Sequence, residues 1–535
     1  MANLTIQDAL PHHQAGDIQK ARAIYNELLA NEPNNVDALQ LLGILEAQEQ
    51  NFGAALKLLE RATTNNPNLP ALHNNLGNVL KKLGKFDKAK QQYIKALELD
   101  PDSATAHNNL ANILIKQNLT EEATRHYREA IRIRPEYTDA HYNLGLVLAK
   151  QEKTQETREH LEAILRWDPN NISALHNLGA ILAEQGNFDA AVTYLKKVLE
   201  QEPQHIETLK NLGAVYLKQK QSELALQCYL RLLPVTTDFD VYYNIGIIYL
   251  EQNRYRDAEQ YFQQALAIKP NDFATLNNLG AICLKIEDHP QAIKYYQAAL
   301  QVEPDNEEIR YLLAALTETD NYNAMEAAPK EYVQNLFNQY APYYDKHLTK
   351  FLNYKVPELL YAALVKELDK STANLTILDL GCGTGLGGEK LRPLAAKLIG
   401  VDLAPEMLKV AQEKAIYDEL QPKDITAAAS EYNNNVDIII AADTLVYLGD
   451  LDQIFANCHV ALTNNGLFAF TIENTATYPY VLQKNARFAH SQQYIHELAN
   501  KYHFSIAKEC EITLRKQKNV PVLGLLYILK SLKIK

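Results

Sequence analysis

The glycine-rich stretch TILDLGCGTG, residues 376–385, contains residue types that bind a nucleotide-like cofactor. In one register Gly383, Gly385 and Gly388 form the G-x-G-x-x-G pattern of a dinucleotide site, so the glycines alone leave NAD open. Asp379 precedes the glycines, and its carboxylate would repel the pyrophosphate of a dinucleotide. The same carboxylate favours a cationic ligand.

A second carboxylate, Asp402, ends the next predicted strand, where it can accept hydrogen bonds from both ribose hydroxyls of an adenosine. The pattern D-x-G-x-G-x-G, followed by Asp402 and then by the strand VDIIIAAD, resembles the class I S-adenosylmethionine-dependent methyltransferases over residues 331–535. The resemblance implies an α/β Rossmann-like domain, methyl transfer and S-adenosylmethionine as the cofactor.

The resemblance also implies a set of cofactor-binding residues. They are Tyr344, Asp379, Gly381, Gly383, Gly385, Asp402, Leu403, Met407, Asp424, Ala442 and Asp443. In this set the glycines let the backbone approach the methionine part and the adenosine, Asp379 lies near the amino end, and Asp402 binds the ribose. Tyr344 belongs to FNQYAPYYDKHL, which resembles a cap over the cofactor; the alternative is ordinary packing of an amphipathic helix.

The remaining members of the set are expected around the adenine and the methyl group. The family pattern implies that Leu403 and Met407 flank the adenine and that Asp424 accepts a hydrogen bond from its amine. Asp424 has the alternative of being a solvated loop carboxylate. Ala442 and Asp443 close the fourth strand beside the transferable methyl.

The residues of catalysis stay open at this stage. A sulfonium methyl is already electrophilic, so the enzyme must align a nucleophile and, where necessary, remove a proton. Candidate bases are Asp443, Tyr447, Glu473 and His490, and each has the alternative of a hydrogen-bonded structural residue. His490, in the cluster RFAHS, is the first to test because an imidazole titrates near neutrality. The stretch AADTLVYLGD lacks the Asn/Asp-Pro-Pro-aromatic motif of amino-methylating enzymes acting on DNA and glutamine.

The elements that would position these residues follow from the apolar pattern after residue 375. Short runs such as LTILDL, VDIIIAAD and GLFAFTIE alternate with helical stretches such as PEMLKVAQEKA. This alternation predicts a mainly parallel sheet with crossover helices. The run VPVLGLLYILKSL is too short to span a membrane and is predicted to be a closing strand.

The region before residue 317 has a 34-residue period. Its prolines are Pro33, Pro67, Pro101, Pro135, Pro169 and Pro203, then Pro270 and Pro304. Gly77, Ala89, Tyr93 and Ala96 stand where two antiparallel helices of one unit would meet. This spacing resembles the tetratricopeptide repeat, in about eight units and a partial one, and implies an all-α superhelix with a concave, protein-binding face.

An asparagine stands two residues before the glycine position in seven consecutive units. These residues are Asn75, Asn109, Asn143, Asn177, Asn211, Asn244 and Asn278, here called the asparagine ladder. In the repeat family this position faces the groove, and similar ladders in O-linked N-acetylglucosamine transferase hold an extended peptide. An amide can bind both the C=O and the N–H of a peptide unit. The alternative is that the ladder is solvated or bonds to the neighbouring repeat.

The composition limits the remaining classes of function. The formal net charge of −12 opposes non-specific binding of nucleic acid. Five scattered cysteines without a C-x-x-C pair predict reduced thiols and no metal site. No signal peptide or membrane span is visible, so the sequence predicts a cytoplasmic protein that contacts no membrane. The oligomeric state stays open.

The predicted organisation is a repeat array at 1–316, a linker at 317–330 and a methyltransferase domain at 331–535. Together the two parts resemble bacterial repeat-containing methyltransferases. The leading expectation is a methyltransferase whose repeat groove recruits a protein partner or a protein substrate. The alternatives are a small-molecule methyltransferase whose repeats serve only for docking, and a non-catalytic scaffold that senses the cofactor.

Overall fold

The computed structural model describes residues 4–317, 325–368, 374–517 and 520–533, and the chain forms two compact units, Met1–Ile248 and Tyr249–Lys535. The first unit is helical throughout. Its helices are α1 (Ile6–Gln14), α2 (Ile18–Asn31), α3 (Val36–Gln48), α4 (Phe52–Asn65), α5 (Pro70–Lys82), α6 (Phe86–Leu99), α7 (Ala104–Lys116), α8 (Thr120–Ile133), α9 (Thr138–Lys150), α10 (Thr154–Trp167), α11 (Ile172–Glu184), α12 (Phe188–Gln201), α13 (Ile206–Lys218) and α14 (Ser222–Leu232). Helix α15 (Phe239–Glu251) spans the division between the units.

In several helix pairs a glycine of one helix packs against a large side chain of the other, as the sequence predicts. A Cβ on Gly77 would lie 2.6 Å from the ring of Tyr93, and one on Gly213 would lie 2.8 Å from Tyr229. Both tyrosines are buried. Because protein interiors are close-packed, the missing side chain on one helix makes room for the large one on the other.

Residues 4–317 contain nine helix pairs and a single last helix, one pair more than the sequence predicts. The additional pair is α1 and α2, which precedes the first proline of the periodic series. Helix α1 has only nine residues, contains Pro11 and lacks the Leu-Gly signature. These departures conceal the first repeat in the sequence.

The second unit combines the last repeat helices with a sheet. Its helices are α16 (Tyr255–Ile268), α17 (Phe273–Lys285), α18 (His289–Val302), α19 (Glu307–Leu316), α20 (Lys330–Tyr340), α21 (Tyr344–Lys346), α22 (Val356–Glu367), α23 (Leu386–Leu391), α24 (Pro405–Glu413), α25 (Ile425–Ser430), α26 (Asp452–Ala461) and α27 (Gln492–Lys501). Its strands are β1 (Leu375–Leu380), β2 (Ala395–Asp402), β3 (Glu419–Pro422), β4 (Val436–Ala441), β5 (Leu462–Asn474), β6 (Tyr480–Leu482), β7 (Phe488–His490), β8 (Phe504–Gln517) and β9 (Val520–Ser531). Short helical turns occupy Ala341–Tyr343, His347–Phe351, Arg392–Leu394 and Leu445–Tyr447.

The strand order β3-β2-β1-β4-β5-β7-β6 confirms the predicted Rossmann-like α/β domain. Strands β1 to β5 are parallel, and the closing strand β9 pairs antiparallel with β5 and β8. The chain turns back between β1 and β4, and open parallel sheets bind ligands at the carboxyl ends of strands beside such a reversal. The glycine loop follows β1, and Asp443 follows β4.

The predicted linker 317–330 does not separate two hydrophobic cores. Helices α17 to α19 share one core with the sheet, and the buried hydroxyl of Tyr311 in α19 donates a 2.8 Å hydrogen bond to the carbonyl of Ala486. After the linker residues 318–324, which lie outside the described residues, Ala328 donates from its backbone to the carbonyl of Tyr447 at 2.9 Å. The last repeat helices are therefore part of the same compact unit as the sheet.

Candidate active site

The glycine loop adopts a conformation that side chains oppose. Gly381, Gly383 and Gly385 have φ angles of 73°, 54° and 92°, in the left-handed region that favours glycine. A Cβ on Gly381 would also overlap the side chain of Thr444. The backbone N–H of Gly381 donates to the carbonyl of Val401 at 2.8 Å, which ties the loop to β2.

Asp402, at the carboxyl end of β2, closes this loop. Its Oδ2 accepts a 2.9 Å hydrogen bond from the backbone N–H of Gly383, and its Oδ1 accepts one of 2.8 Å from Ala404. Burial raises the pKa of the Asp402 carboxyl above its ordinary value. Each carboxylate oxygen has two lone pairs, so both keep acceptor capacity for a ligand.

An open cleft with about 730 Å³ of empty volume lies in front of the loop. Eight of the eleven predicted cofactor residues line it, namely Tyr344, Gly381, Gly383, Asp402, Leu403, Asp424, Ala442 and Asp443. Asp424 is also the N-cap of α25, where its Oδ1 accepts from Thr426 and Ala427, and its Oδ2 lies 3.3 Å from Lys330 Nζ. The cleft thus brings residues from five separate stretches of sequence together.

The other three predicted residues, Asp379, Gly385 and Met407, do not line the cleft. Asp379 is 2% exposed and accepts a 2.7 Å hydrogen bond from the hydroxyl of Tyr417, and burial raises its pKa to about 7. Gly385 packs against Tyr417, where a Cβ would lie 3.1 Å from the ring. Met407 is fully buried in a cluster with Phe337 and Tyr344.

The predicted cap consists of α20, the turn after it and α21. Tyr344 is half-buried in this cap, and the loss of solvation there raises the pKa of its hydroxyl well above 10. Thr384 of the glycine loop donates a hydrogen bond to Asp345, whose carboxylate also lies 2.8 Å from Lys414 Nζ. Asp345 belongs to the motif FNQYAPYYDKHL, but only the fold shows that it joins the cap to the glycine loop.

Tyr447 joins the cap to the loop after β4. Its ring lies 5.5 Å from that of Phe337 in an edge-to-face arrangement, and it lines the cleft. Burial raises the pKa of its hydroxyl above 10, so the phenol is neutral at pH 7. A neutral phenol donates a hydrogen bond but is a poor proton acceptor.

Four charged side chains form a cluster beside Tyr447. Arg515 lies 2.6 Å from Glu473 and 3.4 Å from Asp443, and Arg487 lies 3.2 Å from Asp443 and 3.6 Å from Glu473. Glu473 and Arg515 are only 4% and 6% exposed. Two carboxylates thus balance two guanidinium groups in a buried place, where an unpaired charge is costly. Asp443 has a φ of 56°, so its backbone is strained where the cluster meets the cleft.

His490, the first residue proposed for testing, is buried behind the same loop. Its Nε2 lies 2.9 Å from the carbonyl of Leu448 and 3.1 Å from that of Gly449, so Nε2 carries the proton and donates. Burial lowers its pKa to about 4. These contacts favour the structural alternative for His490, since the neutral ring holds the loop that carries Tyr447.

The asparagine ladder lies on the first helices of successive pairs. In unit 1, Asn109 Nδ2 donates to Asn74 Oδ1 at 3.0 Å, and Asn143 Nδ2 donates to Asn108 Oδ1 at 3.1 Å. Asn177 Nδ2 donates to the carbonyl of Ser173 at 2.8 Å. Asn109 and Asn143 therefore make the bonds to the neighbouring repeat that the alternative interpretation includes, whereas the 2.8 Å bond of Asn177 lies within its own helix. Each of the three keeps an Oδ1 atom for a further partner.

None of the helices in the described parts of the chain is both long and apolar enough to cross a bilayer.

Comparisons with known proteins agree with this architecture. A methyltransferase-domain model matches residues 378–470. Tetratricopeptide-repeat models match residues 12–79, 77–118, 111–152, 137–201, 170–238, 239–272 and 273–306.

Two curated relatives are O-methyltransferases. Malonyl-[acyl-carrier protein] O-methyltransferase of Bacillus cytotoxicus is 29% identical over 151 residues, which are 28% of this chain and 52% of that protein. Ubiquinone biosynthesis O-methyltransferase of Xanthomonas oryzae pv. oryzae is 31% identical over 108 residues, which are 19% of this chain and 45% of that protein. The chain thus spans about half the length of these relatives.

Among solved structures, the chain is similar to YrrB, described as a TPR protein with an unusual peptide-binding site. The identity is 28%, the match covers 34% of this chain and 94% of that one, and the TM-score is 0.32.

The sheet order, the glycine loop and Asp402 define a class I methyltransferase domain. With the repeats before it, the chain belongs to the tetratricopeptide-repeat-containing class I methyltransferases.

Proposed function

We propose that this protein transfers a methyl group from S-adenosylmethionine to an oxygen atom of an acceptor, and that its repeat groove recruits the protein that is or carries the acceptor. The cleft between the glycine loop and the cap supports this proposal most directly. It combines a backbone-lined surface at Gly381 and Gly383 with the carboxylates of Asp402 and Asp424.

The donor and acceptor groups of the cleft fit S-adenosylmethionine better than a dinucleotide. Asp402 and Asp424 offer acceptors to ribose hydroxyls and to an amine. The carboxylate of Asp379, directly before the glycine loop, disfavours a pyrophosphate there. Leu403 and Ile425 supply apolar walls for a base. When bound, the cofactor supplies an electrophilic sulfonium methyl.

The chain's own residues then orient the acceptor and move its proton. Tyr344 and Phe337 of the cap line one side of the cleft and reduce the access of water to it. Asp443 lines the cleft, whereas Glu473 is buried behind it, so Asp443 is the carboxylate placed to accept a proton from a hydroxyl acceptor. Tyr447, a neutral donor, is placed to orient the acceptor oxygen.

The names of the relatives support oxygen as the methylated atom, and one of them supports an acceptor carried on a protein. The other names ubiquinone biosynthesis, which favours a second candidate function, methylation of a free small molecule with the repeats serving for docking. Both candidates use the same cleft.

Two measurements on the full-length protein test the proposal. Calorimetry with S-adenosylmethionine, S-adenosylhomocysteine and NADH should give heat of binding with the first two. Binding of NADH alone would refute S-adenosylmethionine as the cofactor. Tritiated methyl donor added with lysate should label a protein fraction stably. Label confined to small molecules would favour the second candidate, and no label at all would refute methyl transfer.

A further inference from the structure

Lysines repeat on the helix face that carries the asparagine ladder. Seven residues after a ladder asparagine stand Lys82, Lys116, Lys150, Lys218 and Lys285, with Glu184 and Glu251 at the other two positions. Seven residues are about two turns of an α-helix, so each lysine lies on the same face as its asparagine. The period of the repeat therefore produces a row of cations parallel to the row of amides.

The structure joins the two rows in the first unit. One cleft is lined by Asn75, Asn109, Lys81 and Lys82. A larger cleft, with about 2060 Å³ of empty volume, shares both of these lysines with it. The larger cleft also contains Asn143, Lys116 and Lys150. We call the surface formed by Lys81, Lys82, Lys116 and Lys150 on helices α5, α7 and α9 the lysine row.

The lysine row is a local excess of positive charge in an acidic protein. The chain has a formal net charge of −12, yet within the described residues none of the four lysines is in an ion pair. Burial and the neighbouring charges of Lys82 and Lys116 lower the pKa of Lys81. Glu121 is a carboxylate that lines the larger cleft. Cations held together in this way favour an anionic partner.

The amides indicate which anionic partner fits. Asn109 and Asn143 donate to the neighbouring repeats through their Nδ2 atoms. Within the described part of the chain, their Oδ1 atoms accept no hydrogen bond. An amide oxygen binds an N–H donor. A peptide backbone presents an N–H at each residue other than proline, whereas a phosphodiester backbone presents none.

We propose that the lysine row and the adjacent asparagines bind an extended acidic segment of a partner protein. The asparagine amides contact its backbone, and the lysines pair with its Asp and Glu side chains. Neighbouring packed helices are about 8–10 Å apart, which roughly three extended residues span. Acidic side chains spaced by about three residues therefore match the row. This inference rests on the recruitment part of the proposed function and specifies the partner's chemistry.

Three fluorescent probes test it on the full-length protein: a 15-residue peptide with Glu at every third position, the same peptide with Gln for Glu, and a 15-nucleotide oligothymidylate. We expect the Glu peptide to bind at least tenfold more tightly than the Gln peptide, with an affinity that falls as salt is raised. Equal affinity of the two peptides would overturn the proposal. Tighter binding of the oligonucleotide, in competition with the peptide, would overturn it in favour of nucleic acid.

Variants locate the site. Lys116→Glu combined with Lys150→Glu should weaken binding of the Glu peptide at least tenfold, because two attractive charges become repulsive. Lys88→Glu, on an exposed position of α6, is the matched control and should leave the affinity within about twofold. Equal effects of the control and the double variant would show that the Glu peptide does not bind at the lysine row.

Failure of this inference is distinguishable from failure of the proposed function. Calorimetric binding of S-adenosylmethionine and labelling of a protein fraction report on the proposed function without the peptide. If both persist while the Glu peptide fails to bind, the acidic partner is refuted and the methyltransferase proposal stands.

Discussion

The hydroxyl of Tyr311, in the last repeat helix, donates a 2.8 Å hydrogen bond to the carbonyl of Ala486, next to the charged cluster that borders the cleft. Tyr311 is fully buried and also contacts the rings of Tyr332 and Phe488. The repeat array thus ends inside the core of the methyltransferase unit. An isolated fragment that begins at residue 331 would expose this core.

Replacing Tyr311 with Phe should destabilise the second unit by about 1–3 kcal/mol, since the buried carbonyl of Ala486 loses its donor. Urea denaturation followed by circular dichroism measures this loss. Tyr478→Phe is the matched control, because that hydroxyl bonds to Glu497 at an exposed site, and it should change stability by less than about 0.5 kcal/mol. Equal stability of the Tyr311 variant and wild type would contradict the shared core.

The candidate cofactor cleft was predictable to a large extent because its motif residues stand at the ends of successive strands. Asp402 and the glycines could be placed from the sequence since parallel strands bring their carboxyl ends to one edge. Tyr417, which lies just before β3, and Arg515 of β8 could not be placed, because these strands reach the site through pairings that no local pattern specifies. The shared core at Tyr311 could not be predicted from the sequence for the same reason, since a contact between residues 175 positions apart leaves no periodic signal.

Asp402→Ala should weaken binding of S-adenosylmethionine by about 2–4 kcal/mol, because the carboxylate that we propose binds the ribose also accepts a hydrogen bond from the backbone N–H of Gly383. Asp402→Asn keeps one acceptor oxygen and should lose less affinity for S-adenosylmethionine than Asp402→Ala. Calorimetry measures both variants. Asp418→Asn, at a residue that does not line the cleft, is the control and should bind normally. Unchanged affinity in the alanine variant would move the ribose contact elsewhere.

Asp443→Asn should lower kcat by roughly 10²–10⁴ for a hydroxyl acceptor if Asp443 accepts its proton, with little change in cofactor affinity. Asparagine tolerates the left-handed backbone at this position, where φ is 56°. Glu473→Gln is the matched control, because it removes a carboxylate from the same two arginines without reaching the cleft. Similar kcat losses in both variants would show that the cluster acts through its structure and that Asp443 takes no proton.

His490 should make stability depend on pH below about 6.5. Its pKa is lowered to about 4 in the folded protein. Between about pH 6.5 and pH 4 the imidazole is therefore protonated in the unfolded chain but neutral in the folded protein. Stability from this group is complete above the unfolded pKa of about 6.5 and falls by about 1.4 kcal/mol per pH unit toward pH 4.

Urea denaturation at pH 7.5 and pH 5 tests this dependence. Wild type should lose about 2 kcal/mol more than His490→Gln, whose amide N–H can donate to the carbonyl of Leu448 without titrating. The same variant should keep the pH profile of methyl transfer. A general base must be deprotonated to act, so loss of the profile's acidic limb in this variant would restore His490 as a general base.

Changing Asn143, Asn177 and Asn211 together to Ala should abolish capture of the recruited protein while cofactor affinity stays unchanged. Each lost backbone contact costs roughly 1 kcal/mol, so three weaken binding on the order of a hundredfold. Asn143 and Asn177 also bond to neighbouring groups, so a modest loss of stability is expected and is measured in parallel.

The control for the ladder replaces three exposed asparagines outside it, Asn34, Asn66 and Asn170, with Ala. This control should retain capture. Methylation should fall in the ladder variant for the full protein substrate but not for a short acceptor that reaches the cleft without the groove. A ladder variant that is equally active on the full substrate would show that the repeats do not select it, and would place the small-molecule function first.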